Sequence, residues 1–557
     1  MKSSWFWKEA DGAKRPTAAL EWGLVLLSAL LLWAGWPDRG WPGLLFLAFT
    51  PLLALTEYLH AGGYRKPGRR LGWRIYVALL LWNILCTGWV VNATVVGAVF
   101  MVLLNSLLML LPWLIYSWMK KQAPRIALFT GLLAYLSLEY AHMHWEMAWP
   151  WLNLGFGFAN VPGWVQWYDY TGVLGGSLWI LLANGAFYYV FWKQGAILEG
   201  KIRWLSLTYS LLLVIGIPLL LSQIRGRRFE AEGTPVEVVL LQPNHDPYSR
   251  QIVTQPDIRT SPEKIAHYLA QTESAITPNT RWVLWPESTL PGRMWEHDNN
   301  NNLLQQIQTW VDAHPQLSLI SGGTTITQLE DDAPSRPYTL TNSRGDRYEF
   351  HNSAIWLQPN RAPEFYHKSV LVPGVEVLPF ATVLQPIIGP IMEALGGTSG
   401  GYAPQDERAV FYTSDSLALS PSICYESIFG DHTGAHVRNG SQAIALVTND
   451  AWWGETAGHR QHFAYARLLA ISLRKPVLRA ANTGISAFIH ADGSVHQATQ
   501  FYTEAALRGT VLFSDQATPY SRNGDSLGRL AYGLFFFLWG SAWVQRFTKR
   551  KKQPTHD

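Results

Sequence analysis

The sequence predicts a two-part protein: a polytopic helical membrane domain, and a layered domain of strands and helices inserted before the last membrane span. Apolar runs long enough to cross a bilayer, about 17–25 residues each, dominate the first 223 residues. From about Gly226 to Asn523 the chain turns to charged residues, turn signals and short alternating runs. A final apolar run follows near Leu527–Val544. The expected organisation is therefore seven spans in residues 1–223, a soluble domain in 224–522, and an eighth span with a basic tail in 523–557.

Composition agrees with a membrane protein. Of 557 residues, 48% are hydrophobic and only 15% charged, and the 28 Trp and 23 Tyr suit a long bilayer interface. Net charge is +4, and no basic stretch interleaved with aromatics reads as a nucleic-acid surface. Two cysteines, Cys86 and Cys424, offer no disulfide framework; Cys86 lies in an apolar run and reads as a small buried hydrophobe.

The spans are expected near Ala18–Trp36, Pro42–Leu59, Trp73–Val91, Val95–Trp118, Ile126–His142, Gly172–Trp192, Trp204–Leu221 and Leu527–Val544. Lys and Arg fix their direction, because cytosolic loops carry the positive charge. Lys2, Lys8, Lys14 and Arg15 precede the first span, Arg65, Lys66, Arg69 and Arg70 follow the second, and Lys120, Lys121 and Arg125 follow the fourth. Lys193, Lys201 and Arg203 follow the sixth, and Arg546, Lys549, Arg550, Lys551 and Lys552 follow the eighth. The alternate loops are poor in such residues, so both termini are expected in the cytosol and the soluble domain outside. Arg225, Arg227 and Arg228 run against this pattern, but long external domains translocate regardless of charge. The first span is too long for a cleaved signal peptide and reads as an anchor. The fifth loop holds Trp145, Trp149, Trp151, Trp164 and Trp167; they read as an interfacial belt or as a surface shaping a lipid entrance.

In the soluble stretch, Val236–Gln242, Trp282–Trp285, Leu317–Ser321, Ala354–Leu357, Ala418–Cys424, Ala443–Val447, Val477–Arg479, Ser486–Ile489 and Gly509–Phe513 read as strands. Ser261-Pro262 reads as a cap followed by a helix-opening proline, with the helix running to about Ala275. Asn301–Ala313 and Gly458–Leu473 are also helical. So many short strands point to a layered α+β or α/β sandwich. Gln328–Tyr348 and the glycine-rich 396–401 read as mobile loops.

Three strand ends finish with a reactive side chain. Val283-Leu284-Trp285-Pro286-Glu287 leaves a carboxylate beside apolar surface, where its pKa rises toward that of a base. Tyr366-His367-Lys368 leads a lysine into an apolar run, where it needs a partner or loses its charge. Ser422-Ile423-Cys424-Tyr425-Glu426 ends an apolar strand in a thiol. Each alone also has a plain reading: a solvated turn glutamate, a snorkelling surface lysine, a core cysteine. The histidines fall at no ligand spacing; His459 and His462 share a helix without further partners, so no metal and no cofactor is expected.

Together, in this order, Trp-Pro-Glu, His-Lys and Cys-Tyr-Glu resemble the nitrilase superfamily, as do Val447–Gly454 and Arg479–Gly484. The resemblance spans about Val236–Phe513 and implies an αββα sandwich with a Glu-Lys-Cys triad. With the flanking spans, and with Pro150–Gly155, Leu371-Val372-Pro373 and Tyr520–Asp525, the chain resembles the apolipoprotein N-acyltransferase family of bacterial envelopes.

That resemblance implies Glu287 as general base, Lys368 as oxyanion stabiliser and Cys424 as nucleophile. Glu376 matches the family's second glutamate, and Tyr425 and Glu426 match the residues after the nucleophile. Asn352, Trp285, Asn449 and Trp452 are expected to support the site or bind substrate. Tyr248 is the nearest aromatic to the family's lid tryptophan. The expected reaction passes a fatty acyl group from a membrane phospholipid, through a thioester on Cys424, to the N-terminal amine of a diacylglyceryl-modified apolipoprotein. The alternative is a membrane-tethered amidohydrolase with water as acceptor. The resemblance also implies a monomer in the bacterial inner membrane with a periplasmic catalytic domain.

Overall fold

The computed structural model describes residues 7–10, 13–62, 64, 66–193, 205, 208–210, 212–245, 259–298, 301–384 and 401–551. Tyr248, most of the glycine-rich run at 396–401, and Lys201 and Arg203 lie outside the described residues. The chain divides into two compact units: one built from the helices up to Arg228 and the last helix, the other from Phe229–Gly524.

In the first unit, six helices among the described residues are long and apolar enough to cross a membrane: Pro42–Ala61, Pro67–Asn92, Val95–Gln122, Val173–Phe191, Thr208–Arg228 and Ser526–Thr548. Two shorter apolar helices, Ala18–Ala34 with 17 residues and Ala127–His142 with 16, lie at the other two expected positions. The seventh helix ends later than the sequence suggests, at Arg228 rather than Leu221. The reason is electrostatic. Arg225 Nε lies 2.7 Å from the fully buried Asp169 carboxylate, so its charge is matched and the helix continues.

Two further buried polar groups in this unit, Glu21 and Asn184, are likewise paired. Glu21 takes Arg70 at 2.7 Å and Arg74 at 3.1 Å. Where a short turn at Pro42–Phe46 leads into the helix Thr50–Ala61, Asn184 Oδ1 accepts the Phe49 and Thr50 amides at 2.7 and 3.0 Å. Backbone groups freed from a helix in an apolar unit need such partners. Three tryptophans of the fifth loop, Trp149, Trp164 and Trp167, are half-buried. Trp151 is buried and stacks on Trp149 at 5.5 Å; Trp145 alone of the five is exposed.

The second unit has four layers. Its first sheet is built on β1 (Thr234–Gln242), β2 (Thr280–Leu284), β3 (Ser318–Gln328) and β4 (Arg347–Leu357). Its second is built on β5 (Ala418–Ile423), β6 (Ala443–Thr448), β7 (Val477–Ala481) and β8 (Ala487–Ile489). The long β9 (Ala505–Phe513) returns to pair antiparallel with β1. β1–β2–β3 and β5–β6–β7 are parallel; β4 and β8 pair antiparallel at their sides. A short strand, Glu364–His367, adds antiparallel to β4.

The period-two alternation of the strands builds the layers. Val236, Val238 and Leu240 of β1 face Ala443, Ala445 and Val447 of β6 in the core between the sheets, with Trp282 and Trp356. Val239 and Leu241 point the other way, onto α1 (Ser261–Glu273) and α2 (Asn302–Asp312). Ile444 and Leu446 face α3 (Gly430–Arg438) and α4 (Ala457–Leu473) on the far side. This is the αββα sandwich that the sequence suggests.

Three details differ from the sequence reading. The cap of α1 is Thr260, one residue earlier than Ser261, because the Thr260 amide donates to the Glu263 carboxylate at 2.6 Å. The polar stretch Gln328–Tyr348 is tied down, not loose: Leu340–Thr341 pairs with β4 and Arg336 is ion-paired to the buried Glu349. Helix α3 carries too weak an apolar pattern to be read and packs only Val437 into the core.

Trp282 is fully buried between the sheets, stacked on Trp356 with ring centroids 5.9 Å apart. Trp282→Ala is expected to remove about 3–5 kcal/mol of stability. Thermal melting of the purified full chain checks this, as a lowered midpoint of the transition.

Candidate active site

The parallel strands of both sheets end at one rim of the sandwich, and the reactive groups follow those ends. β2 leads into Trp285-Pro286-Glu287, β5 into Cys424 and β6 into Asn449. Lys368 follows the short strand Glu364–His367, which β4 positions beside Asn352: the Lys368 amide donates to the Asn352 carbonyl at 2.8 Å.

Close backbone contact sets Glu287. The Gly322 amide donates to the Pro286 carbonyl at 3.1 Å. A Cβ at position 322 would lie 2.5 Å from the Glu287 Cα, so only glycine admits this approach. The Glu287 side chain is buried. Its Oε1 accepts from Asn352 Nδ2 at 2.7 Å and its Oε2 from the Asn449 amide at 3.0 Å.

Lys368 Nζ lies 3.5 Å from Glu287 Oε1 and 2.8 Å from Glu376 Oε1. Asn352 Nδ2 also donates to Glu376 Oε1 at 2.9 Å, and the Val372 amide holds Glu376 Oε2 at 2.7 Å. Burial lowers the lysine pKa, but Glu376 and Glu287 outweigh it and hold the ammonium above its ordinary value. Burial raises the Glu287 carboxyl; Lys368 pulls it back only in part.

Cys424 opens a tight turn, Cys424–Ile428, with φ at +49°, a left-handed conformation that a non-glycine residue adopts at a cost of about 1–3 kcal/mol. The residue is buried, 5% exposed. Burial pushes the thiol pKa up, the Glu287 charge pushes it further, and Lys368 pulls it down without restoring it. The resting group is therefore a thiol beside a carboxylate whose basicity is raised.

Glu426 joins two of these segments. It accepts from the Ile423 amide at 2.7 Å, the Ser369 amide at 2.6 Å and the Tyr366 hydroxyl at 2.8 Å. It thereby ties the Cys424 turn to the loop that carries Lys368. Burial alone would raise its pKa, but His432, the Ile423 amide and Tyr366 outweigh it and hold the carboxylate down at about 2.

The structure thus gathers Glu287, Lys368, Glu376 and Asn352 into one hydrogen-bonded cluster. Asn449 joins it through its main-chain N–H, and Cys424 lies within the electrostatic reach of Glu287 and Lys368. Tyr425 is buried against Phe429 at 5.1 Å, and Trp452 is half-buried on the turn Asp450–Trp453. Of the two roles expected of Trp285, supporting the site or binding substrate, its place does not suit the second. It points to the opposite face of the sheet, fully buried under α1, with Nε1 donating to Thr272 at 3.1 Å. Sequence reasoning missed Ser427 and His462, whose side chains lie 2.8 and 3.1 Å from the Cys424 carbonyl. No motif spacing announces either.

Two family models match the chain: the apolipoprotein N-acyltransferase N-terminal domain over residues 28–186, and carbon-nitrogen hydrolase over residues 249–513. The apolipoprotein N-acyltransferase of Chlorobaculum tepidum is 27% identical over 528 residues, covering 92% of this chain and 94% of its own. That of Geobacter metallireducens is 26% identical over 550 residues, covering 96% of each chain. Full-length coverage at both ends excludes a match confined to the sandwich. Saccharomyces cerevisiae Nit3, a solved member of branch 10 of the nitrilase superfamily, aligns with a TM-score of 0.35 at 13% identity over 54% of this chain and 96% of its own, too weakly to add to this. In its two matched domains, their order and its relatives, the chain is similar to the apolipoprotein N-acyltransferases over nearly its whole length.

Proposed function

We propose that the chain transfers a fatty acyl group from a membrane phospholipid to the N-terminal amine of a diacylglyceryl-cysteine lipoprotein, through a thioester on Cys424. The observation that carries the site assignment is the buried Lys368 ammonium between Glu287 and Glu376, at 3.5 and 2.8 Å, beside a strand-end thiol. The relatives matching over nine-tenths of the chain carry acyltransferase names, which favours an amine acceptor over water.

Each residue then has a task. Glu287 accepts the thiol proton as Cys424 sulfur attacks the ester carbonyl. Lys368 and a backbone N–H hold the oxyanion; loss of one such donor costs about 3–4 kcal/mol of barrier. The ester C–O bond breaks, the leaving lysophospholipid oxygen takes the proton from Glu287, and the thioester remains. The lipoprotein amine attacks the thioester, Glu287 takes the amine proton, and the C–S bond breaks as Glu287 passes that proton to the Cys424 sulfur. Glu376 and Asn352 keep Lys368 charged and Glu287 aimed. A buried thiol slows loss of the thioester to water between the two halves.

The positive-charge pattern supports a membrane enzyme with both termini in the cytosol and residues 224–522 as a periplasmic domain of the bacterial inner membrane.

Two predictions follow from these roles. Cys424→Ser abolishes acyl transfer, and Glu287→Gln blocks thioester formation by about a hundredfold or more. Intact mass after incubation with phospholipid reads the acylated enzyme, and the mass of a co-expressed lipoprotein separates transfer from hydrolysis. An unmodified Cys424 in a single turnover that still delivers product would end the covalent route.

A separate prediction concerns Glu426. Its folded pKa is depressed, so it contributes stability above the ordinary carboxylate pKa, and this contribution is lost as pH falls from about 5 toward 2. The shift corresponds to roughly 3 kcal/mol. Glu426→Gln is expected to lower the melting temperature at pH 7 and to flatten the loss of stability on acidification over that range. Melting curves at stepwise pH check both.

A further inference from the structure

Two segments that resemble the family, Asn449–Gly454 and Arg479–Gly484, contribute only the Asn449 amide to the chemistry above. Their charged residues meet behind the nucleophile. Asp450 is fully buried, and its two carboxylate oxygens accept from Arg479 Nη2 at 3.0 and 2.8 Å. Arg479 Nη1 donates to the Ile485 carbonyl at 2.5 Å. A Cβ at position 484 would lie 1.8 Å from Asp450 Oδ2, so glycine at that position makes room for this pair.

His462, fully buried on α4, sits between the ion pair and the nucleophile. Its Nδ1 lies 3.1 Å from Arg479 Nη2 and 3.5 Å from Asp450 Oδ1. The Cys424 carbonyl can only accept, so its 3.1 Å contact places the proton on Nε2 and leaves Nδ1 to share an Arg479 Nη2 hydrogen. Nε2 faces Ser427 Oγ at 3.0 Å and the Cys424 carbonyl at 3.1 Å. The Ser427 hydroxyl donates to the same carbonyl at 2.8 Å. The Cys424 carbonyl is thus drawn toward α4 by two side chains. A trans peptide is planar, with its C=O and N–H directed oppositely. Holding that carbonyl therefore turns the Tyr425 N–H away from α4.

We propose that His462, oriented by the Arg479–Asp450 pair, is a positioning residue that holds the Cys424–Tyr425 peptide so that the Tyr425 N–H, with Lys368, receives the oxyanion of the acyl-transfer intermediate. The proposal rests on the reading of Cys424 as nucleophile. It explains why a nucleophile with φ at +49° keeps one peptide orientation: flipping that peptide would break both bonds to its carbonyl and turn the donor away.

The test compares two reactions of one thiol in the full-length protein. Acylation by phospholipid needs the oxyanion donor, whereas alkylation by iodoacetamide forms no oxyanion. His462→Leu is expected to slow single-turnover acylation about a hundredfold to a thousandfold, with KM for phospholipid unchanged and alkylation of Cys424 within about threefold of the parent. His462→Gln, whose amide can restore a donor at the Nε2 position, is expected to recover acylation to within about tenfold. A folded His462→Leu that acylates at the parent rate overturns the proposal. So does one in which alkylation falls as far as acylation, or a Gln variant no better than Leu. If His462→Leu does not fold, Ser427→Ala decides: a loss of about tenfold in acylation with alkylation unchanged supports the relay, and parent-like acylation overturns it. Failure of the parent protein to form any thioester would instead remove the underlying reading of Cys424.

Discussion

A buried ammonium must be matched by negative charge or give up its proton, and Lys368 obliges the rest of the catalytic unit to supply that match. Its two carboxylate partners arrive from different places: Glu287 from the end of a central strand, Glu376 from a turn eight residues further along the chain. Neither carboxylate is left to a single contact. Asn352 donates to both, the Asn449 amide takes the far oxygen of Glu287, and the Val372 amide takes that of Glu376. The cluster is closed by donors, so removing Lys368 would leave two buried like charges facing each other. It joins stability to the proposed chemistry: the group that would receive an oxyanion also keeps Glu287 and Glu376 together.

The sandwich makes this closure possible because parallel strands bring unrelated parts of the sequence to one rim. β2 belongs to the first sheet and β5 and β6 to the second, yet Glu287 accepts the amide that follows β6. The apolar core between the sheets fixes their separation through Trp282, Trp356 and the small residues Ala443 and Ala445. Glu426 then adds a cross-link outside that core. Its one carboxylate gathers amides from the strand that ends at Cys424 and from the loop that carries Lys368. A buried anion with several main-chain donors is a stiff joint, because each donor loses a charge-assisted bond if the segments part.

Strand positions were legible because each inner strand is a short apolar run ended by turn residues, and Glu287, Lys368 and Cys424 stood out as polar groups at such ends. What strand periodicity leaves open is which face meets which neighbour. Trp285 is adjacent to the glutamate in sequence, yet strand alternation sends it under α1 while Glu287 turns into the cluster. Asn449 illustrates a second limit, since its contribution is a main-chain N–H that any residue could present. Gln328–Tyr348 looked loose because its polar side chains hide a pairing made by backbone atoms and by Arg336 with Glu349. His462 was invisible for another reason: its partners come from three separate segments and show no spacing on the helix that carries it.

The electrostatics of the thiol constrain the order of events in the proposed reaction. Burial and the Glu287 charge raise the Cys424 pKa, so a free thiolate is not the resting state. Stable thiolate formation before substrate enters would move the negative charge from Glu287 onto a buried sulfur, which burial opposes. Proton transfer to Glu287 is therefore favourable only as the sulfur forms its bond to carbon and its charge passes to the carbonyl oxygen. That oxygen is the new anion that Lys368 can satisfy, and the lysine moves from serving two carboxylates to serving one carboxylate and the oxyanion. The number of negative charges around Lys368 stays the same while their location shifts toward the substrate. Stabilisation then appears in the transition state and not in the ground state, which is the condition for a binding interaction to accelerate a reaction.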